Sequence, residues 1–234
     1  MTTPIKVLVT GFGLFLDVKR CPLWEIVRRL SASIVGLDDR LIQLIVPNDP
    51  MPLANNETKY QTTALNESHN PDLVVHMGLD VNSDRGIFKV ERSAPREGYH
   101  EFPDIRRKVF TRMENKTAFA KSPAALSRTL DIDAAAEVWS AGCASITLAT
   151  QRGSQRTAQK GKKSEMRNAL VQLSDDVETY VCGFCYYVAL FHLQTHTEKR
   201  HAIFYHVPPL ETTADILVGV RVTEEVVRAL VSVM

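Results

Sequence analysis

The chain has 234 residues, of which 44% are hydrophobic and 24% charged, and its formal net charge at pH 7 is +1. This length suits one large domain, and the composition is typical of a globular protein that buries a core without disulfide bonds. The near-neutral charge argues against partners that are recognised by charge, such as nucleic acids or acidic membranes. No apolar run in the sequence reaches the roughly 18–20 residues that a membrane span needs.

The first predicted elements alternate between strand and helix. An apolar run over residues 5–10 predicts a buried strand that ends in the turn Gly11-Phe-Gly13, and helical spacing predicts a helix over 24–32. A second strand follows at 41–46, a polar helix at 51–68, and a third strand at 72–77, which Gly78 ends.

The later elements continue this pattern. A short strand is predicted at 87–92, a further strand at 202–207, and a final helix at 223–233 with Thr223 as its N-cap. Apolar strands that alternate with amphipathic helices indicate the α/β class. We therefore predict a three-layer α/β/α sandwich around a mostly parallel twisted sheet, as a single domain over residues 1–234.

One segment differs in composition from the rest of the chain. Residues 151–168 are polar and basic and nearly free of aliphatic side chains, which predicts a solvated loop or insertion. The segment has no interleaved aromatic residues, so its charge does not indicate binding to nucleic acid.

Ligands of parallel α/β sheets bind beyond the carboxyl ends of the strands. Gly11-Phe-Gly13, Gly78 and His206 lie at or just after such ends, so we expect them on one rim of the sheet. The glycine turn lacks the third glycine of a dinucleotide site, which argues against a nucleotide enzyme. Phe12 and Phe15 of this turn either fill the core under the loop or line a small apolar pocket.

The four cysteines are Cys21, Cys143, Cys182 and Cys185. The N-terminus has no signal-peptide core, so we expect reduced thiols in a cytoplasmic protein. Cys182 and Cys185 form a C-x-x-C pair, but a zinc site would need a second pair of ligands at matching spacing, and the sequence has none. A thioredoxin-like redox role for the pair remains an alternative.

Three residues from distant segments have the chemistry of a thiol nucleophile, its base and an orienting acid. Cys182 precedes a helix-like run, His206 ends a strand-like run, and Glu91 ends another. A cysteine thiol needs a positioned imidazole to become a good nucleophile. Taken singly, each residue has a plainer explanation: a small buried hydrophobe, a hydrogen-bonded histidine, and a surface charge between Lys89 and Arg92.

Five short motifs, in order, resemble those of the pyroglutamyl peptidase I family, also called pyrrolidone-carboxylate peptidases. They are Thr10-Gly-Phe-Gly-Leu-Phe15, Cys21-Pro-Leu-Trp24, Glu91-Arg-Ser-Ala94 with the preceding strand and Gly78, Ser174 to Gly183 around Cys182, and Phe204-Tyr-His-Val-Pro208. The resemblance covers most of the chain apart from the basic segment.

The resemblance implies a cysteine exopeptidase that removes N-terminal pyroglutamate from small peptides through a thioester, with no metal and no cofactor. By matching position, Cys182 is the nucleophile, His206 the base and Glu91 the orienting acid. The predicted substrate-binding residues are Phe12, Phe15, Gly78 and Arg92. Bacterial relatives assemble as tetramers and many eukaryotic ones act alone; the additional basic segment favours a monomer here, with a homo-oligomer as the alternative.

Several positions depart from the family pattern. Cys21 and Leu23 replace an asparagine and a serine, Val177 and Glu178 replace an alanine–glycine pair, and Gly183 replaces the asparagine after the nucleophile. A lost glycine is costly where the backbone needs a positive φ. These changes leave an alternative open, an inactive homologue that binds pyroglutamyl peptides, beside the dithiol redox protein.

Overall fold

The computed structural model describes residues 3–14, 21–84, 86–150 and 165–234. Phe15 and residues 151–164 of the basic segment therefore lie outside the described residues. The end of that segment differs from the prediction. Glu165–Asn168 is a strand that pairs antiparallel with Thr147–Thr150, so its residues are held by a backbone ladder and do not form a loop.

The described residues form eleven strands and six helices. The strands are β1 (Ile5–Gly11), β2 (Ser33–Val35), β3 (Leu41–Ile45), β4 (Leu73–Leu79), β5 (Ile87–Glu91), β6 (Ala94–Pro95), β7 (Ala125–Leu126), β8 (Thr147–Thr150), β9 (Glu165–Asn168), β10 (Leu170–Ser174) and β11 (Ala202–Val207). The helices are α1 (Pro22–Val27), α2 (Asn55–His69), α3 (Arg112–Ala118), α4 (Ile132–Cys143), α5 (Val181–His196) and α6 (Thr213–Ser232).

Seven strands form the central sheet, in the order β10-β5-β11-β4-β1-β3-β2. The four strands β3, β1, β4 and β11 are mutually parallel, while β2 is antiparallel to β3 and β5 to β11. β10 runs parallel to β5. The five predicted strands correspond to β1, β3, β4, β5 and β11, and the prediction of a mostly parallel sheet is confirmed.

Strand β11 shows how the layers stack, because successive side chains of a strand point to opposite faces. Phe204 packs against Tyr186 of α5, with ring centroids 6.1 Å apart, and Tyr205 packs against Trp139 of α4 at 5.7 Å. Helices α2 and α5 cover the first face, and α1, α4 and α6 cover the second. The predicted α/β/α sandwich is confirmed.

The predicted start of the last helix is wrong. Thr212 is the N-cap of α6 and forms a capping box with Asp215. The Thr212 backbone N–H donates to the Asp215 carboxylate, and the Asp215 backbone N–H donates to the Thr212 hydroxyl oxygen. Thr223 lies inside the helix, where its buried hydroxyl donates to the Gly219 carbonyl. Within the described part of the chain, no helix combines the length and the apolar character that crossing a membrane requires.

Candidate active site

Cys182 occupies the second position of helix α5 and is half-buried. The first intrahelical hydrogen bond runs from the Phe184 N–H to the Tyr180 carbonyl, and the Tyr180 side chain does not cap the helix. The N–H groups of Val181, Cys182 and Gly183 therefore have no acceptor within the helix. Such groups, together with the helix dipole, favour negative charge at this point of the fold.

His206 lies near the end of β11 and is buried, and its ring meets Glu91 of the neighbouring strand β5. The Nδ1 atom of His206 is 2.6 Å from Oε1 of Glu91, whose side chain is 1% exposed. Because β5 runs antiparallel to β11, Glu91 reaches the imidazole across a strand pair and not from the carboxyl end of a parallel neighbour. With Nδ1 engaged by the carboxylate, Nε2 is the nitrogen that remains to accept a proton.

The environment of the Cys182 thiol disfavours the thiolate. Burial raises the pKa of the thiol, and nearby anions, including Glu91 and Asp80, raise it further. The resting thiol is therefore protonated near neutral pH, and its use as a nucleophile requires a base. Among the described residues no hydrogen bond joins Sγ of Cys182 to His206. Catalytic contacts of this kind often tighten only when substrate is bound.

No protein-family model matches the chain. Human pyroglutamyl-peptidase 1 is 28% identical over 216 residues, which cover 90% of this chain and 82% of the human protein. The rat pyroglutamyl-peptidase 1 is 27% identical over the same coverage. The resemblance to the pyroglutamyl peptidase I family is confirmed.

The fold agrees with that of a solved pyrrolidone carboxyl peptidase. A single-residue variant of the enzyme from Pyrococcus furiosus superposes with a TM-score of 0.72 at 19% sequence identity, covering 97% of this chain and 99% of that one. At this identity the comparison concerns the fold alone.

The departures from the pyroglutamyl peptidase I pattern have a local explanation in the turn before the nucleophile. Glu178 has a φ of 61°, in the left-handed region where the family has glycine. Gly183 stands where a Cβ would meet the Glu178 carbonyl oxygen at 2.2 Å, so this turn excludes the family's asparagine. Cys21, in place of the other asparagine, donates its S–H to the Phe12 carbonyl at 3.2 Å.

Gly78 is in register with His206 on the adjacent parallel strand. A Cβ at this position would meet Cε1 of Phe204 at 2.5 Å and Cδ2 of His206 at 3.0 Å. The absence of a side chain at Gly78 thus leaves the space that the rings of His206 and Phe204 occupy. Binding of substrate by Gly78 stays a prediction.

Phe12, predicted to bind substrate, is 2% exposed. Its ring centroid lies 6.3 Å from that of Phe204, which in turn lies 5.0 Å from the His206 ring. The rings of Phe12 and Phe204 therefore form a row from the turn after β1 to His206. Of the two predicted roles for Phe12, this position fits the one in which its side chain fills the core under the loop.

Arg92, also predicted to bind substrate, directs its guanidinium toward α4. It pairs with Asp133 at 2.5 Å and lies 3.8 Å from Asp175. Glu91 and Arg92 are consecutive residues, and only Glu91 contacts His206. Among the described residues, no ion pair or hydrogen bond joins the Arg92 side chain to Cys182, His206 or Glu91.

Cys185 is fully buried, and its sulfur lies 3.6 Å from the Thr62 hydroxyl of α2. Burial raises the pKa of this thiol to about 12. Both Cys182 and Cys185 are free thiols, and the Cys185 thiol is engaged inside the helix pair α2–α5. This environment does not favour the dithiol redox alternative.

Sequence reasoning missed the contacts of the residues next to Glu91. Lys89 pairs with Asp80 at 2.6 Å, and Lys89 lies on the same strand face as Glu91 because the two are two residues apart. Strand alternation could have placed Lys89 and Glu91 on one face, but it does not indicate Asp80 as the partner of Lys89. Tyr186 donates to the Glu91 carbonyl at 3.3 Å, and Arg128 donates to the Arg92 carbonyl, so both hold the end of β5.

A cavity of about 630 Å³ adjoins the nucleophile segment, since Gly98 in its lining packs against Thr179. Its walls carry Arg96, Arg112, Lys116 and Lys121, so its character is basic. Cys182, His206, Glu91 and Phe12 are not among its lining residues.

Proposed function

We propose that this chain is a cysteine exopeptidase that removes N-terminal pyroglutamate from small peptides. The observation that carries the proposal is the 2.6 Å contact between His206 and Glu91, together with the position of Cys182 at the start of helix α5, where the charge of Glu91 contributes to raising the pKa of the thiol. The similarity to human pyroglutamyl-peptidase 1 over 90% of the chain supports this choice of substrate.

In the first step, Nε2 of His206 takes the proton from the Cys182 thiol, and the sulfur attacks the carbonyl carbon of the pyroglutamyl residue. Glu91 holds the imidazole in the required tautomer and stabilises the imidazolium that forms. The resulting oxyanion accepts hydrogen bonds from the free N–H groups at the start of α5. Donors of this kind are worth roughly 3–4 kcal/mol each in a serine peptidase.

In the second step, the imidazolium returns its proton to the nitrogen of the leaving amine, and the C–N bond breaks. A thioester between pyroglutamate and Cys182 remains. His206 then removes a proton from water, which attacks the thioester and releases pyroglutamate and the free thiol. Each proton that His206 takes up is thus returned within the cycle.

The uncharged lactam is the feature that selects the substrate. An ordinary N-terminus carries an ammonium group, and an apolar site would remove its water at a cost of several kcal/mol. An apolar pocket near the turn after β1, with backbone groups for the lactam N–H and C=O, would accept the ring without that cost. Phe12, Phe15, Gly78 and Arg92 remain the predicted substrate-binding residues of this proposal, although Phe12 is 2% exposed and Arg92 pairs with Asp133.

We also retain the predicted cytoplasmic location and monomeric state as parts of the proposal. The reaction requires a reduced Cys182, and a reducing compartment maintains such a thiol. Size-exclusion chromatography with light scattering would measure the oligomeric state directly.

A selectivity assay tests the proposal. The purified protein, in reducing buffer, is given coumarin amides of pyroglutamate, proline and glutamine. Release of fluorophore from the pyroglutamyl amide alone is the expected result. Binding of a pyroglutamyl peptide without any cleavage would instead support the inactive homologue, and equal cleavage of the proline amide would reject selection of the lactam.

A further inference from the structure

A second cluster of chemically active side chains lies at the other end of helix α5. The ligand atoms of Glu67, His192 and His196 all lie within 4.8 Å of one another. The two histidines are four residues apart and so share one face of α5, with ring centroids 4.1 Å apart. Glu67 belongs to α2, which packs against α5.

The hydrogen bonds of His196 leave one of its nitrogens ready to bind a metal. Its Nδ1 lies 2.8 Å from the backbone carbonyl oxygen of His192 and 2.9 Å from the Thr195 hydroxyl. Because a carbonyl oxygen only accepts, Nδ1 carries the proton and Nε2 keeps its lone pair. Metal-binding histidines commonly have this arrangement, in which a bond from the second nitrogen fixes the tautomer and the ring.

We propose that Glu67, His192 and His196 form a binding site for one divalent transition-metal ion of the zinc class, which joins α2 to α5. Two imidazoles and a carboxylate are donors that Zn²⁺ accepts at about 2.0–2.2 Å, with a fourth position left for water. Tetrahedral donors at that bond length are about 3.3 Å apart, so the separations of up to 4.8 Å must shorten by as much as about 1.5 Å. Glu67 and His196 are exposed, so their side chains can move toward an ion, while His192 is 9% exposed.

This site is separate from the peptidase centre. His192 follows Cys182 by ten residues on the same helix, a distance of about 15 Å along its axis. An ion there would add a metal link between two helices that otherwise meet through side-chain packing and the Thr62–Cys185 contact. Because it would bind the folded chain and not the unfolded one, it would raise the unfolding temperature.

Zn²⁺ binding to the Cys182→Ala protein tests the site, since that variant lacks the half-buried thiol that would compete for the ion. The metal-free protein is titrated with Zn²⁺ alone by calorimetry, and its unfolding temperature is measured with and without the ion. We expect one equivalent of Zn²⁺ and a higher unfolding temperature. Bound Co²⁺ should show the visible absorption of a tetrahedral site.

In the Cys182→Ala protein, the further substitutions His196→Ala and Glu67→Gln should each lower the affinity for Zn²⁺ at least tenfold, because each removes one of the three ligands. Both positions are exposed, so the variants should fold, and circular dichroism checks that they do. If His196→Ala does not fold, His196→Gln takes its place. His69→Ala, on the same helix as Glu67, is the matched control and should bind Zn²⁺ as tightly as its parent. Absence of stoichiometric binding in the parent, or an unchanged affinity in either ligand variant, overturns the proposal.

Discussion

Nδ1 of His206 and Oε1 of Glu91 are 2.6 Å apart although 115 positions separate the two residues in the chain. The contact depends on β5 running antiparallel to β11, which places the acid beside the imidazole on the face that α5 covers. Oε2 of Glu91 is buried without a hydrogen-bond partner among the described residues. A buried carboxylate with a single partner is costly, and orientation of a catalytic base is a physical reason for its presence.

Glu91→Gln should keep the fold and lower turnover. The amide is the same size and still accepts a hydrogen bond from Nδ1, but it carries no charge to stabilise the imidazolium. We expect kcat for a pyroglutamyl amide to fall by roughly 10²–10⁴-fold with little change in KM. Steady-state kinetics and a melting curve measure both effects, and an unchanged kcat would remove Glu91 from the mechanism.

Gly78→Ala should displace the base. The new methyl group would enter the space held by the Phe204 ring and approach His206. We expect kcat to fall and the free energy of unfolding to decrease by about 1–3 kcal/mol, as overpacking does elsewhere. Gly142→Ala is the control, because the three atoms nearest to its new methyl group all belong to the end of the Glu225 side chain, which can move. Equal activity of the two variants would contradict the clearance that we assign to Gly78.

Glu178→Gly should stabilise the protein relative to Glu178→Ala. Both changes remove the carboxylate, but only glycine relieves the backbone at a φ of 61°. The difference in the free energy of unfolding should be about 1 kcal/mol, measured by denaturant titration. If alanine proved as stable as glycine, the turn before Cys182 would carry no left-handed strain.

The reactivity of Cys182 should depend on pH as that of a protonated thiol does. Burial raises its pKa, so the thiolate fraction is small near neutrality and grows as the pH rises. The rate of alkylation by iodoacetamide, corrected with Cys182→Ala, should therefore still be increasing at about pH 9. A plateau already reached near neutral pH would indicate a preformed thiolate–imidazolium pair.

His76 should make stability depend on pH in the acid range. Burial lowers the pKa of His76 to about 4 from 6.5, and its Nδ1 lies 2.6 Å from the Thr10 hydroxyl. The unfolded chain therefore binds a proton that the folded chain rejects, so this stability is present above pH 6.5 and is lost toward pH 4. Denaturant titrations should show about 2 kcal/mol less stability at about pH 5 than at pH 7, and His76→Gln should remove most of that difference.

The sequence was sufficient for the parts of the fold that local patterns encode. The apolar runs predicted β1, β3, β4, β5 and β11, and the motifs predicted Cys182, His206 and Glu91, of which the structure joins the last two. The direction of β5 was not predictable in this way, because an antiparallel strand and a parallel one can have the same residue pattern. Direction depends on the connections and on packing across the whole sheet.

The start of α6 and the role of Gly183 also differ from what the sequence indicated, for separate reasons. Thr212 and Asp215 have the spacing of a capping box, so the sequence does carry a signal for the true start of α6. The prediction used Thr223, which lies inside that helix. The role of Gly183 had no such signal. Its need for close approach arises from the carbonyl of Glu178, which only the folded turn brings to that position.

The most direct measurement is the kcat/KM of the wild-type protein and of Cys182→Ala on a pyroglutamyl-coumarin amide in reducing buffer. We expect the wild type to release the fluorophore and the variant, with the same circular dichroism spectrum, to release none above background. Full activity in Cys182→Ala, or no activity in the folded, reduced wild type, would contradict the assignment of a thiol peptidase centre to Cys182, His206 and Glu91.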